Sequence, residues 1–105
     1  MESFREYVQY QSYLREQPLM AVYVYATDCG VCMVDETRTK QLCQELSFPF
    51  LAVNAEEAPE IAGQLNLFSL PAVVLYSYGK EYHRQARIID FDALAKRMKE
   101  LVEQV

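Results

Sequence analysis

Three short apolar runs separated by helix-like segments restrict this chain to few folds. The runs are residues 20–26 (MAVYVYA), 49–55 (PFLAVNA) and 71–77 (PAVVLYS), and each is rich in β-branched or aromatic residues. Runs of this kind predict strands, and the first two are expected to be buried on both faces of a sheet. A turn at residues 78–80 (YGK) predicts a hairpin leading into a fourth strand at residues 81–88.

Four segments between and beside these strands have helical patterns. The second runs from the cysteine pair near residue 29 to about residue 47, the third begins at Pro59, and Asp90 caps the fourth, whose apolar stripe ends at Val105. This order predicts an α/β fold with one mixed sheet, in which a right-handed crossover joins a parallel pair and a hairpin adds an antiparallel strand. The first helix, within residues 1–17, is expected to carry a capping box of Ser3 and Glu6 and a buried stripe of Phe4, Tyr7, Val8, Gln11 and Leu14.

Length and charge narrow the class of protein. A chain of 105 residues, 51% of them hydrophobic, predicts a single domain with an N-terminal helix (1–17) and a core (18–105). The net charge of −5 argues against nucleic acid or an anionic membrane as partner. The longest apolar run, residues 19–26, is far below the ~20 residues of a membrane helix. Because the N-terminus has no apolar signal segment, we expect a cytoplasmic protein.

The sequence DCGVC places two cysteines, Cys29 and Cys32, two residues apart where the first strand gives way to a helix. This spacing brings two sulfurs within reach of a disulfide bond. The unpaired N–H groups and the dipole of a helix N-terminus favour a thiolate, which is the reactive form of cysteine. Cys29 is therefore the expected nucleophile and Cys32 the resolving thiol, while Gly30 allows a substrate backbone to approach closely.

A zinc half-site and a chance pair are the alternatives to a redox pair. Zinc needs four ligands, and the only other cysteine and histidine are Cys43 and His83. If residues 32–43 form one helix, its ends lie ~16 Å apart, too far for one zinc ion. We therefore favour a redox pair and expect no metal and no bound cofactor. Cys43 is expected to pack in the core as a small apolar residue.

The motif and its context resemble thioredoxin-like proteins. The resemblance runs from AVYVYATDCGVC through SLPAVVLYSYGKE to the last helix, and it includes Leu70-Pro71 and Gly79. It implies a thioredoxin-like fold that lacks the family's first edge strand and has helices on both faces of about four strands. It also implies a cis Pro71 facing the cysteine pair and keeping metals away, and peptide groups of Leu70 that pair with a substrate segment.

Several positions depart from the family pattern. Asp28 precedes Cys29, where a negative charge disfavours the thiolate unless Asp28 serves as a solvated helix cap. Tyr23 stands where thioredoxins bury an aspartate, and Ala52 stands in place of the accompanying lysine. Arg87 replaces a glycine of the substrate groove, so it is expected to narrow that groove and add charge.

The missing buried acid raises the question of what takes the proton of Cys32. Glu36 lies four residues after Cys32, on the same helical face, and is the candidate proton relay. The alternative is that Glu36 is solvated, with Asp35 facing the core or both acids exposed.

Together these features predict a cytosolic thiol–disulfide oxidoreductase. Cys29 attacks protein or small-molecule disulfides and Cys32 resolves the mixed disulfide, with Glu36 and Pro71 as further catalytic residues. Gly30, Val31, Leu70 and Arg87 are the substrate-binding candidates. A reductase or a small thiol is the expected electron donor. The alternative is a redox-sensing or protein-binding module with little turnover.

Overall fold

The computed structural model describes residues 6–104 as four helices and four strands. Ser3, Phe4 and Val105, which we expected to cap or line the terminal helices, lie outside these residues. The elements in chain order are α1 (Tyr7–Arg15), β1 (Met20–Tyr25), α2 (Gly30–Glu45), β2 (Phe50–Asn54), α3 (Pro59–Gln64), β3 (Ala72–Ser77), β4 (Lys80–Ala86) and α4 (Phe91–Gln104).

The strands form one mixed sheet in the order β2-β1-β3-β4. β1 and β2 are parallel and joined through α2, whereas β1 pairs with β3, and β3 with β4, in antiparallel fashion. At one level of the sheet, Val24 pairs with both Val53 and Ala72, and Ala72 also pairs with Ala86. This register fixes which residues meet beyond that end of the sheet.

Helices cover both faces of the sheet, which confirms the predicted α/β architecture. One core contains Tyr10 and Leu14 of α1 and Ile61 of α3, packed with Val22, Val24 and Val74. The other contains Cys43 of α2 and Leu94, Met98 and Leu101 of α4, packed with Ala21, Tyr23, Val73 and Leu75. Because successive residues of a strand point to opposite faces, β1 and β3 must be apolar at nearly every position.

Two expectations about burial are wrong. β2 is an edge strand rather than a strand buried on both faces: Leu51 and Val53 are buried, while Phe50 and Ala52 are half-buried. Val8 of α1 is 68% exposed, and Tyr10 is buried instead. In both cases a neighbouring element determines which residues are buried. β2 has a neighbouring strand on one side only, and α1 turns Tyr10 towards β3.

Gly79 fixes how α1 meets the β3–β4 turn. Its φ of +81° is a conformation that favours glycine, and a Cβ atom there would lie 2.9 Å from Cγ and 3.2 Å from Cα of Arg15. The Tyr78 N–H donates to the Gln17 carbonyl at 3.0 Å. The end of α1 is therefore attached to the hairpin through main-chain contacts.

Candidate active site

The cysteine pair lies at the start of α2, in the turn that follows β1. Cys29 is the N-cap residue, with extended backbone angles (φ −106°, ψ 100°), and Cys32 lies in the first helical turn. Their sulfurs form a disulfide, with the Cα atoms 5.2 Å apart. Cys29 is half-buried, whereas Cys32 is only 1% exposed. Because Cys29 itself takes the N-cap position, Asp28 is not the helix cap.

Pro71 and Arg87 lie at the same end of the sheet as this turn. The pairings of Ala72 with Val24 and with Ala86 put the residues just beyond the strands side by side. The Arg87 N–H donates to the Pro71 carbonyl at 2.7 Å. The Leu70–Pro71 peptide bond is cis. Pro71 is buried, Leu70 is half-buried, and Arg87 is exposed.

An open groove of about 550 Å³ runs beside the disulfide. Both cysteines line it, together with Asp28, Gly30 and Glu36. Its wall also includes apolar surface from Tyr25, Ala26 and Met33. Met33 is 75% exposed and Val31, between the cysteines, is 53% exposed. A ligand in this groove would contact the disulfide directly and would meet two carboxylates and an exposed thioether.

The buried acid of α2 is Asp35 rather than Glu36. The buried residues of this helix are Cys32, Asp35, Thr39 and Cys43, which follow a spacing of three, four and four residues. That spacing traces one helical face, with Asp35 9% exposed. Glu36 is half-buried at the edge of this face and lines the groove beside the cysteines. Of the two acids left open by the sequence, Asp35 is therefore the one that faces the core, while Glu36 lies at the cysteine pair.

Tyr23 ties β1 to the first turn of α2. Its side chain is fully buried and its hydroxyl donates to the Cys32 carbonyl at 2.5 Å. Burial, followed by the nearby negative charges of Asp35 and Glu36, raises the pKa of Tyr23. Its paired residue on β2 is Ala52. Tyr23 is therefore a neutral hydrogen-bond donor, and neither of these two positions carries a base.

A polar clamp, formed by Thr27, Asn54 and Glu56, holds the turn that carries Cys29. Glu56 accepts the Thr27 N–H at 3.0 Å, and the Asn54 amide donates to the Thr27 hydroxyl at 3.3 Å. Asn54 in turn accepts the Glu56 N–H at 2.8 Å. Sequence analysis missed this clamp. The available signal was that β1 and β2 are parallel, so that an Asn-Ala-Glu sequence after β2 lies beside the turn after β1.

The remaining candidates lie away from the disulfide. Cys43 is buried in the core, as predicted, and burial raises the pKa of its thiol to about 12. His83 of β4 is half-buried beside the Gln85 side chain, 3.0 Å away, and its pKa is lowered by burial. Among residues 6–104, no group of three or more His, Cys, Asp and Glu side chains could hold a metal ion. None of the helices described is long and apolar enough to cross a membrane.

Comparison with known proteins agrees with this geometry. The thioredoxin family model matches residues 2–100. The chain is 24% identical over 102 residues to the thioredoxin-like protein YdfQ of Bacillus subtilis, covering 94% of this chain and 89% of the relative. It is 30% identical over 79 residues to a thioredoxin of Chlamydia muridarum, covering 74% and 78%. The chain belongs to the thioredoxin family.

A solved structure shows the same fold. The oxidised mitochondrial thioredoxin 3 of Saccharomyces cerevisiae superposes with a TM-score of 0.80 at 22% identity, over 95% of this chain and 94% of that one. Family membership, together with the Cys29–Cys32 pair, supports thiol–disulfide oxidoreductase activity in general. Members of this family act on disulfide substrates and receive electrons from reductase partners.

Proposed function

We propose that this protein reduces disulfides of proteins or small molecules in the cytoplasm and so keeps cellular thiols reduced. The Cys29 thiolate attacks one sulfur of a substrate disulfide; a Cys29–substrate disulfide forms and the other substrate sulfur leaves as a thiolate. The Cys32 thiolate then attacks Cys29 Sγ, releasing the second substrate thiolate and forming the Cys29–Cys32 bond. Two electrons pass to the substrate, and a reductase or a small thiol restores the pair.

The proposed roles of the two cysteines rest on one observation: Cys29 is more exposed to solvent than Cys32. Cys29 is half-buried at the helix N-cap, where a substrate sulfur has access and the N–H groups of the first turn stabilise a thiolate. Cys32 is 1% exposed and meets a substrate only through Cys29. This asymmetry supports an attacking role for Cys29 and a resolving role for Cys32.

Glu36 is the proposed proton acceptor for Cys32. Resolution requires the Cys32 thiol to ionise where burial disfavours its charged form. Glu36 lines the same groove as both sulfurs and lies one helical turn after Cys32. Asp35 is the competing acid, since it is buried on the face of α2 that contains Cys32. Tyr23 does not compete because its raised pKa keeps it protonated.

The proposed substrate contacts surround Cys29. Exposed Gly30 and Val31 flank it on α2, and the peptide groups of Leu70 are available to pair with an extended substrate segment. Pro71 lies between that segment and the sheet, and Arg87 is hydrogen-bonded to Pro71. No bound cofactor takes part in this scheme.

A redox-dependent binding module is the second candidate. It is favoured because neither Tyr23 nor Ala52 supplies a base at neutral pH. Slow resolution of the mixed disulfide would leave the protein as a switch rather than a catalyst. In that case the oxidation state of Cys29 and Cys32 would change partner affinity with little turnover.

Turnover of a disulfide peptide with a reductase system separates the two candidates. We expect multiple turnovers per protein and a reduction potential near thioredoxin's ~−270 mV. A potential near ~−180 mV would indicate an oxidising or isomerising role instead. Stoichiometric reduction that stops after one equivalent would reject the catalyst and favour the module.

A further inference from the structure

Arg87 combines a left-handed backbone with an exposed side chain at the end of the sheet that carries the disulfide. Its φ is +72°, a region that arginine rarely adopts because its Cβ is crowded there. Non-glycine residues persist in this conformation mainly where the surrounding structure or a function requires them. Glycine would adopt it at no steric cost, so the arginine side chain itself needs an explanation.

No described residue pairs with the Arg87 guanidinium in a way that would explain the arginine structurally. Within residues 6–104 it makes no hydrogen bond and no salt bridge, and its side chain is exposed. By contrast, Arg84 is ion-paired with Glu81, and Arg97 with Glu100. Arg87 therefore contributes a strained backbone to the fold and presents a positive charge to solvent.

The register of the sheet places this charge within reach of a bound substrate. Tyr25, Pro71 and Arg87 are the residues at or just beyond the ends of three adjacent strands, β1, β3 and β4. Strands lie ~4.8 Å apart, so Arg87 is about 10 Å from the line of β1, which leads to Cys29. An extended segment that pairs beside Leu70 and Pro71 would pass between Cys29 and the Arg87 side chain.

Negative and positive side chains lie on opposite sides of the cysteine pair. Asp28 and Glu36 line the groove on the α2 side, whereas Arg87 lies on the β4 side. Two exposed apolar residues lie close in sequence to this end of the sheet: Ile88, which follows Arg87, is 82% exposed, and Phe68, three residues before Pro71, is 91% exposed. A carboxylate on a substrate is repelled on the first side and attracted on the second.

From this arrangement we infer that Arg87 selects peptide disulfides that carry a carboxylate next to the reacting cysteine. This inference rests on the proposed function and specifies its substrate class. Arg87 acts through binding, as a specificity-determining residue, and takes no part in the exchange of sulfur bonds. The substrate is a flexible or extended protein segment in which a disulfide-bonded cysteine has an acidic neighbour.

Three synthetic disulfide peptides test the inference, differing only in whether Glu, Gln or Lys flanks the cysteine. The reduced protein is mixed with an excess of each peptide, without a reductase, and the second-order rate constant of its oxidation is measured. We expect the wild-type protein to prefer the Glu over the Lys peptide by about fivefold at low salt, the size of an exposed ion pair. The preference should shrink in 1 M salt, where the screening length is ~3 Å.

Variants assign the preference to Arg87. Each rate is divided by that of the Gln peptide with the same variant, so that general changes in reactivity cancel. The Glu-to-Lys ratio should fall to one or below in Arg87→Gln, where only the repulsion by Asp28 and Glu36 remains, and fall further in Arg87→Glu. Lys99→Gln, which removes an exposed charge from α4, should keep the wild-type ratio. Arg87→Gly should lose the preference and raise the melting temperature, because glycine fits the left-handed backbone.

The outcomes that overturn the inference differ from those that overturn the function. Oxidation by all three peptides at equal rates, or an equal ratio in the wild type and Arg87→Gln, rejects the selection of acidic segments but leaves the oxidoreductase intact. A lowered melting temperature in Arg87→Gly with an unchanged ratio shows a structural role only. Failure of every peptide to oxidise the protein rejects the proposed function and this inference together.

Discussion

Both faces of the sheet bury a tyrosine hydroxyl, but the two hydroxyls have different partners. On the fold face, which we define as the side covered by α1 and α3, Tyr10 donates to the Tyr76 hydroxyl at 2.9 Å, across 66 residues of sequence. On the site face, covered by α2 and α4, Tyr23 donates to the main-chain carbonyl of Cys32, nine residues away. The first bond joins distant parts of the fold, and the second positions the helical turn that carries the cysteine pair.

Burial has the same electrostatic effect on both faces. It raises the pKa of Tyr10 and of Tyr23, and it raises that of Tyr76 to about 12. All three tyrosines are therefore neutral near pH 7. Residue type and burial therefore do not distinguish a structural tyrosine from one at the site. The two are distinguished by the atom that accepts the hydrogen bond from the hydroxyl.

The largest expected effect lies on the site face, at the cysteines. Cys29→Ser should reduce turnover by about a thousandfold or more, because no other thiol reaches a substrate. Cys32→Ser should still attack but stall as a mixed disulfide, which intact-mass spectrometry detects. In the reduced protein, alkylation should reach Cys29 first and Cys43 last, since the Cys43 thiol has a pKa of about 12. Faster alkylation of Cys32 than of Cys29 would reverse the assigned roles.

The two acids of α2 give the next largest effect. Glu36→Gln should slow resolution of the mixed disulfide at pH 7 by at least about tenfold and alter its pH dependence, because it removes the proposed proton acceptor. Asp35→Asn is the matched change at the neighbouring position and should affect resolution less. Rapid-mixing measurements of a single turnover check both variants. A larger effect of Asp35→Asn would show that the buried acid is the acceptor, and equal wild-type rates would show that neither is.

Removing one hydroxyl from each face tests the comparison directly. Tyr10→Phe should lower the free energy of unfolding by about 1–2 kcal/mol, since it leaves the Tyr76 hydroxyl without its donor. It should not change the rate of thiol–disulfide exchange at the cysteine pair. Tyr23→Phe should lower the free energy of unfolding by about 1 kcal/mol, because it removes one hydrogen bond to the Cys32 carbonyl. It should also slow thiol–disulfide exchange by about threefold, because Cys32 is displaced. Urea titration and single-turnover kinetics measure the two properties. Slower exchange in Tyr10→Phe would remove the distinction between the faces.

The smallest expected effect concerns the ion pair beside Tyr10 and Tyr76. The Arg84 guanidinium, 2.6 Å from Glu81, lowers the pKa of that carboxyl below its ordinary 4.5. A carboxyl whose pKa is lower in the folded protein stabilises it above the unfolded pKa, and this contribution is lost as the pH falls through the folded pKa. Glu81→Gln should therefore destabilise the protein at pH 7 by roughly 0.5 kcal/mol, with no difference from the wild type at about pH 2. A constant difference across that range would exclude the ion pair as its cause.

The sheet could be predicted because its signals are local. The runs at β1 and β3 are apolar at nearly every position, as burial on both faces requires. Two features depend on distant partners and were not predictable from the chain. The edge position of β2 is set by the pairing of β1 with β3, and the burial of Tyr10 in place of Val8 is set by contact with Tyr76.

The site also has features that local sequence predicts and features that depend on distant residues. A spacing of two residues identified Cys29 and Cys32 without any knowledge of the fold. The choice between Asp35 and Glu36 depends on where α2 begins, since a shift of one residue turns the helix by about 100°. The clamp on Thr27 was invisible because Asn54 and Glu56 lie 27 and 29 residues further along the chain.

The order of the elements along the chain determines the order in which the parts of the site are synthesised. Cys29 and Cys32 are synthesised before β3 and β4, although Pro71 and Arg87 must join them at one end of the sheet. At about 5–20 residues per second, the 55 residues from Cys32 to Arg87 take ~3–11 s to translate. During that interval the nascent chain carries two adjacent thiols without the strands that later flank them. Pro71 and Arg87, the proposed substrate contacts, are therefore added after the thiols themselves.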